Sequence, residues 1–245
     1  ALMRLNKSFL VKRAITSPRE LLKEVTHLSH YIGLSLKEGH SIWIAQREGR
    51  AKDGNDCTEE AVLKMLHMYG RKQNKGFGEY MRSLKVVPVS ITYEYDPGDL
   101  AKAAELYERA QNNGQYKKGE FEDIRSIIKG IKDYKGRISI VAGKPIDQDF
   151  ETPSQLAAIM DKFIYENYAM YPSVLLAAKA LGYANESDVA DISSEDKIKF
   201  NNRMDSFPEH LRPTILQMYA YPFVNRNRAL KGELDEAIAA ESKAS

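Results

Sequence analysis

The chain has 245 residues, 43% of them hydrophobic, and a formal net charge of +2. Such a composition supplies a buried core and excludes wholesale disorder, and a charge so near zero gives no footprint of a nucleic-acid binder. One cysteine, Cys57, excludes an intrachain disulfide framework and fits a reducing compartment, and no apolar run approaches the about 20 residues of a membrane span.

The first residues alternate basic and apolar, without the continuous apolar core of a signal peptide. The chain begins at Ala1 and enters mid-pattern, which suits part of a longer protein. Residues 8–13, Ser-Phe-Leu-Val-Lys-Arg, read as a short strand. Ser17-Pro18-Arg19-Glu20 is a helix start, with a Ser cap, Pro at the first helical position and Glu in the capping-box place. Leu21, Val25, Leu28 and Ile32 then mark one apolar face. A strand is expected at 42–45, with Trp43 and Ile44 packed in a sheet. Asp56 and Glu59 form a second candidate capping box, before a helix with Val62, Leu63, Leu66 and Tyr69 apolar. Residues 71–85 interleave Arg71, Lys72, Lys75 and Arg82 with Phe77, Tyr80 and Met81. They read as a surface loop or a short irregular helix, or as a membrane-surface element.

Val86 to Tyr93 is a strand, its Pro88 confined to a start or edge because it lacks a donor. Residues 100–111 and 121–134 read as helices, and 137–142 as a further strand. Strands alternating with helices predict an α/β fold: a mixed, largely parallel sheet flanked by helices. After about residue 150 the strand pattern stops. Thr152-Pro153-Ser154-Gln155 starts a helix, another follows Pro172 to near Gly182, and 185–194 is a polar linker. Two or three more helices follow, with Pro208, Pro213 and Pro222 as punctuation. The expected organisation is an α/β domain over 1–150 and an α-helical C-terminal extension over 151–245.

Chemistry concentrates in Arg47-Glu48-Gly49-Arg50-Ala51-Lys52-Asp53-Gly54, directly after the apolar run. Glycine lets backbone approach a ligand closely, and arginine forms two parallel hydrogen bonds to a phosphate. Arg50, Arg47, Lys52 and Gly49 are therefore candidates for a phosphate site. The plain alternative is an exposed basic turn with ion pairs to Glu48 or Asp53. Lys12 and Arg13 either complete the anionic site, or form a solvated strand end or a patch facing an anionic membrane. His27 and His30 share one helix face, but no ligand set is completed around them, and no bound metal is expected. Cys57 has no adjacent histidine in sequence and reads as a structural thiol.

Three blocks occur in order: Leu5-Asn6-Lys7-Ser8-Phe9-Leu10-Val11-Lys12-Arg13, then Ile42 through Gly54, then Val86-Val87-Pro88-Val89-Ser90-Ile91. Together they resemble the glycerophospholipid acyltransferase family, the glycerol-3-phosphate and 1-acylglycerol-3-phosphate acyltransferases. The resemblance covers roughly residues 1–147, and 150–245 is similar to the C-terminal helical region of a bacterial subgroup. It implies a membrane-associated transferase of phospholipid synthesis, placed in the cytoplasm and peripheral to the inner membrane. A fatty acyl group would pass from a coenzyme A or acyl-carrier-protein thioester to a glycerol-phosphate or lysophospholipid hydroxyl, with no cofactor besides that donor. The family's base is the histidine of a His-x-x-x-x-Asp motif. Here the residues five after His27, His30, His40, His67 and His210 are Ile32, Ser35, Ala45, Lys72 and Ile215. The resemblance thus places the catalytic pair upstream of Ala1; the alternative is a catalytically inactive lipid- or phosphate-binding member of the same fold. Glu48-Gly49-Arg50 is one residue tighter than the family's Glu-Gly-x-Arg, which leaves the role of Glu48 open and favours Gly49 and Arg50.

Overall fold

A computed structural model describes residues 17–49 and 51–240. Lys12, Arg13, the expected strand at 8–13 and Arg50 lie outside the described residues. The chain divides into two compact units, one of residues up to 48 with 59–86 and 146–157, the other of 49–58, 87–145 and 158 onward. That division does not follow a single cut near residue 150.

The first unit is helical. Helix α1 (Pro18–Lys37) starts where the Ser-Pro signal places it, and the Ser17 hydroxyl accepts from the Glu20 amide at 3.5 Å. It packs on α2 (Glu60–Arg71) through small residues. The Ser29 hydroxyl donates to the Leu66 carbonyl at 3.3 Å and accepts from the Tyr69 amide at 3.0 Å. Gly33 lies under the Tyr69 ring, where a Cβ would come within 2.5 Å of Cγ. The buried residues of α1 are therefore Ser29, Ile32 and Gly33, while Leu21 is exposed. Close backbone approach selected the small residues.

Expectations at three places in this unit need correction. Helix α2 begins at Glu60 with Glu59 as its N-cap and no side-chain cap bond, so Asp56 is not its cap. Residues 41–45 pair with no strand among the described residues, and Trp43 is 69% exposed, so Trp43 and Ile44 do not pack in a sheet. Residues 77–83 form helix α3 (Phe77–Ser83), with Phe77, Tyr80 and Met81 buried. Of the readings of 71–85 the short helix is the one found, and its apolar side chains lie in the core, facing neither solvent nor lipid. His67 is also buried, edge-on to Phe77, with its Nε2 3.0 Å from the Lys75 carbonyl.

The second unit contains a β pair and most of the helices. β1 (Val89–Tyr93) runs antiparallel to β2 (Ile138–Ala142), with Ile91 opposite Ile140. Between them lie α4 (Asp99–Gln111) and α5 (Glu122–Lys132). The expected largely parallel α/β sheet is not present: this two-stranded antiparallel sheet is the whole sheet among the described residues, and the rest is mainly helix. Counting strands overestimated the sheet, because an apolar run at 42–45 found no ladder partner. The direction also differed: one crossover helix returns a strand parallel, and two helices separate this pair.

The remaining helices are α6 (Pro153–Glu166), α7 (Pro172–Ala180), α8 (Ser194–Asp205), α9 (Arg212–Leu230) and α10 (Glu233–Ala240), with 3-10 turns at Glu186–Val189 and Glu209–Leu211. Thr152 caps α6 by accepting from the Gln155 amide at 3.2 Å. Pro222 lies inside α9 and does not punctuate it. Helix α9 packs most extensively on α7, and the core there joins Ala177, Ala178, Phe200, Leu211, Ile215, Tyr219 and Ala220. The polar residues Ser90 and Thr92 are buried because they bond inward. The Ser90 hydroxyl donates to the Ile164 carbonyl at 2.9 Å, and the Thr92 hydroxyl accepts from the Ala169 amide at 3.2 Å.

Candidate phosphate-binding segment

Two neighbouring stretches hold the candidate residues, one in each unit. In the first unit, Glu59 reaches back along the chain. One of its carboxylate oxygens accepts from the Glu48 amide at 3.0 Å, and the other lies 3.7 Å from the Arg47 guanidinium. The Glu59 amide donates to the Gln46 carbonyl at 2.9 Å. Arg47 is thus held beside a carboxylate, and Glu48 contributes its backbone to this turn.

In the second unit, Gly49 has φ 81°, a left-handed conformation that glycine adopts at little cost, and a Cβ built there would meet nothing within 4 Å. The stretch 51–58 is then tied down residue by residue. Lys52 pairs with Glu105 of α4, a carboxylate that Arg109 also contacts at 2.8 Å. The Asp53 carboxylate accepts from the Asn55 amide at 3.1 Å and closes a local turn. Gly54 has φ 85° and lies against α9, where a Cβ would be 2.7 Å from the Met218 Cα. Asn225 of α9, itself buried, donates to the Asn55 side chain at 3.1 Å. The Tyr165 hydroxyl donates to the Asp56 carbonyl at 2.8 Å. Asp161 of α6 accepts from the Thr58 amide at 2.9 and 3.1 Å and from the Thr58 hydroxyl at 2.6 Å.

A small pocket adjoins this stretch, lined by Ala51, Gly54, Asp96, Lys102, Met218 and Tyr219. Its polar groups are already engaged. Lys102 pairs with Asp96. The Tyr219 hydroxyl donates to Asp99 at 2.8 Å and accepts from the Asp96 amide at 3.1 Å. Buried Asp99 also receives Arg203 Nε at 3.0 Å and Nη2 at 2.6 Å. Burial pushes the Tyr219 hydroxyl well above its ordinary pKa, so it stays a neutral donor. A saturated network of this kind holds α4, α8 and α9 in place and leaves little to offer a ligand.

Burial also raises Asp161, to about 6, against the opposing pull of the two Thr58 hydrogen bonds. Sequence reasoning missed Asp161, Asn225, Tyr165 and Glu105. For Asp161 a signal existed: it is an acid inside a helix whose Leu156, Ala157, Ile159 and Ile164 are all buried. Nothing in the sequence marks Asn225 or Tyr165, whose roles depend on contacts 170 and 109 residues away. Among the described residues no group of three or more His, Cys, Asp or Glu is placed to hold a metal, and no helix is long and apolar enough to cross a membrane. Cys57 is exposed. No protein-family model matches the chain, and no curated protein or solved structure matches it.

Proposed function

We propose that this protein takes part in acyl transfer from a coenzyme A or acyl-carrier-protein thioester to the hydroxyl of a glycerol phosphate or lysophospholipid, and that the chain supplies the acceptor-phosphate site. The support is the ordered succession of the three blocks, together with one conformational observation. Gly49, immediately before Arg50, is left-handed, exposed and unobstructed. A turn of that kind lets an anion approach the backbone while the next residue contributes a planar, two-pronged cation. Arg47 and Lys52 face Glu59 and Glu105, so Arg50 is the cation on which the reading rests. Lys12 and Arg13 are assigned the supporting charge by the first block.

In this scheme a histidine–aspartate pair takes the proton from the acceptor hydroxyl as the oxygen attacks the thioester carbonyl, and the thiol leaves. The phosphate contact holds the hydroxyl in place, which lowers the entropic part of the barrier. Reaction at the edge of a membrane suits a donor and product that carry fatty chains.

The test is acyl transfer to lysophosphatidate and to glycerol 3-phosphate by the complete gene product. Arg50→Ala is expected to lower kcat/KM about 100-fold, the loss of a charge-assisted bidentate contact, with unchanged circular dichroism. Wild-type kinetics in that variant would overturn the proposal. Binding of the acceptor without turnover by the wild-type protein would reassign it as a binding member of the family.

A further inference from the structure

Helix α5 leaves its whole apolar stripe in the open: Ile124, Ile127, Ile128 and Ile131 are 49–74% exposed. At helical spacing the four fall within an arc of about 100°, one face of the helix. Phe121, also exposed, stands immediately before it. No other helix or strand packs extensively on α5 among the described residues. We propose that α5 docks the protein on an anionic lipid surface: the helix lies in the plane of the interface, its isoleucines enter the boundary between headgroups and acyl chains, and its cations meet lipid phosphates. The inference rests on α5 alone and is independent of the acyl-transfer reading.

Charge decides the occupant. Residues 117–135 hold six Lys and Arg against four Asp and Glu, an excess as large as the +2 of the whole chain. The acids of the helix and its C-cap are engaged locally. Asp123 pairs with Lys118 at 2.7 Å, and Asp133 lies 4.0 Å from Lys129. Glu122 accepts from the Tyr116 hydroxyl at 2.8 Å and from the Gly119 amide at 2.9 Å. Arg125 and Lys132 are exposed and have no acidic partner among the described residues. They stand three residues before and four after Ile128, so both border the stripe on its Ile128 side. An apolar stripe bordered by cations complements a bilayer surface that carries anionic phosphates. A second copy complements it poorly: in a two-fold contact both partners bring Arg125 and Lys132 to the same seam, and like charges brought together oppose association. The length agrees with a surface position. Eleven residues span about 16 Å, too short to cross a bilayer.

The experiment sediments the full chain with vesicles of phosphatidylcholine alone and of phosphatidylcholine mixed with phosphatidylglycerol, and follows amide hydrogen exchange in the bound protein. Wild type is expected to bind the mixed vesicles about tenfold or more tightly than the neutral ones, to be released by salt, and to gain protection within α5. Ile127→Ser with Ile131→Ser is expected to lower the partition coefficient about 100-fold, and Arg125→Gln with Lys132→Gln about tenfold. All four side chains are exposed, so circular dichroism and melting temperature are expected to match wild type in both variants. No wild-type binding to the mixed vesicles would overturn the proposal. Equal binding to both vesicle types, undiminished binding by the isoleucine variant, or protection gained only outside α5 would do the same. A dimer in sedimentation velocity that the isoleucine variant dissolves, without vesicle binding, would assign the stripe to a second copy. The vesicles carry no acyl donor or acceptor, so failure of the acyl-transfer assay leaves this result standing.

Discussion

Helices α9 and α5 belong to the same unit and invert the usual expectation about amphipathic stripes. Helix α9 has apolar residues all round and little stripe, yet Ile215, Met218, Tyr219, Ala220, Asn225 and Ala229 are buried in it. Helix α5 has a clean stripe of Ile124, Ile127, Ile128 and Ile131 at helical spacing, with Arg125, Lys129 and Lys132 along one flank, yet it has no buried residue. Periodicity decides that a segment is helical. It does not decide how much of the stripe is covered, because coverage depends on what other elements bring to that face. Stability is therefore expected to concentrate in α9 and its neighbours, and little of it in α5.

The largest effect is expected where the block after Arg50 meets α9. Gly54→Ala imposes a left-handed conformation on alanine and drives a Cβ into the Met218 backbone. A loss of about 3 kcal/mol or more is expected, of which a positive φ alone accounts for about 1–2. Chemical denaturation measures it, and a loss below 1 kcal/mol would show that α9 yields easily. Ile215→Ala, at a residue with 0% exposure, is expected to cost about 3 kcal/mol through lost burial and a residual cavity.

The β pair beyond α5 is fastened by one ion pair. Glu94 is 2% exposed, and its two oxygens accept from the Arg137 amide at 2.8 Å, Nε at 2.9 Å and Nη2 at 2.8 Å. Burial alone would raise the Glu94 pKa, but the Arg137 hydrogen bonds outweigh it and hold the carboxyl below its usual range. That stabilisation is present above the unfolded pKa and is lost as pH falls through the folded one. Arg137→Ala leaves a buried acid with a single backbone donor there and is expected to cost about 2–3 kcal/mol, near the lower limit for breaking a buried pair.

Asp161 has the opposite sign. Its pKa is raised to about 6 from 3.8, so its contribution is fully present below pH 3.8 and is lost as pH rises through 6. The wild-type stability curve is expected to fall by about 2 kcal/mol between pH 4 and 7 from this group, and Asp161→Asn to flatten that fall. An unchanged curve in the Asn variant would remove Asp161 as the cause. Ile127→Ala in α5 should be smallest, within about 0.5 kcal/mol, as for an exposed side chain. A cost above 2 kcal/mol would show that this stripe is covered in solution, and would erase the contrast with α9.

Local chemistry settled a good deal. The Ser17-Pro18 and Thr152-Pro153 starts, the Pro88 edge, both strands of the antiparallel pair and the helices after Asp99, Phe121 and Pro172 follow from caps, proline geometry and side-chain period. The Gly49 turn is legible for the same reason, since its signal lies within a few residues. Pairing is not local: whether 42–45 joins a ladder, and whether β2 returns parallel or antiparallel, depends on partners dozens of residues away. The candidate site divides along the same line. Its cation-and-glycine motif is written in eight consecutive residues, whereas its fastening by Glu105, Asp161, Tyr165, Met218 and Asn225 exists only once helices distant in sequence are packed around it. Hydrogen bonds and close backbone contacts act over a few ångströms, and tertiary packing alone brings those groups within reach.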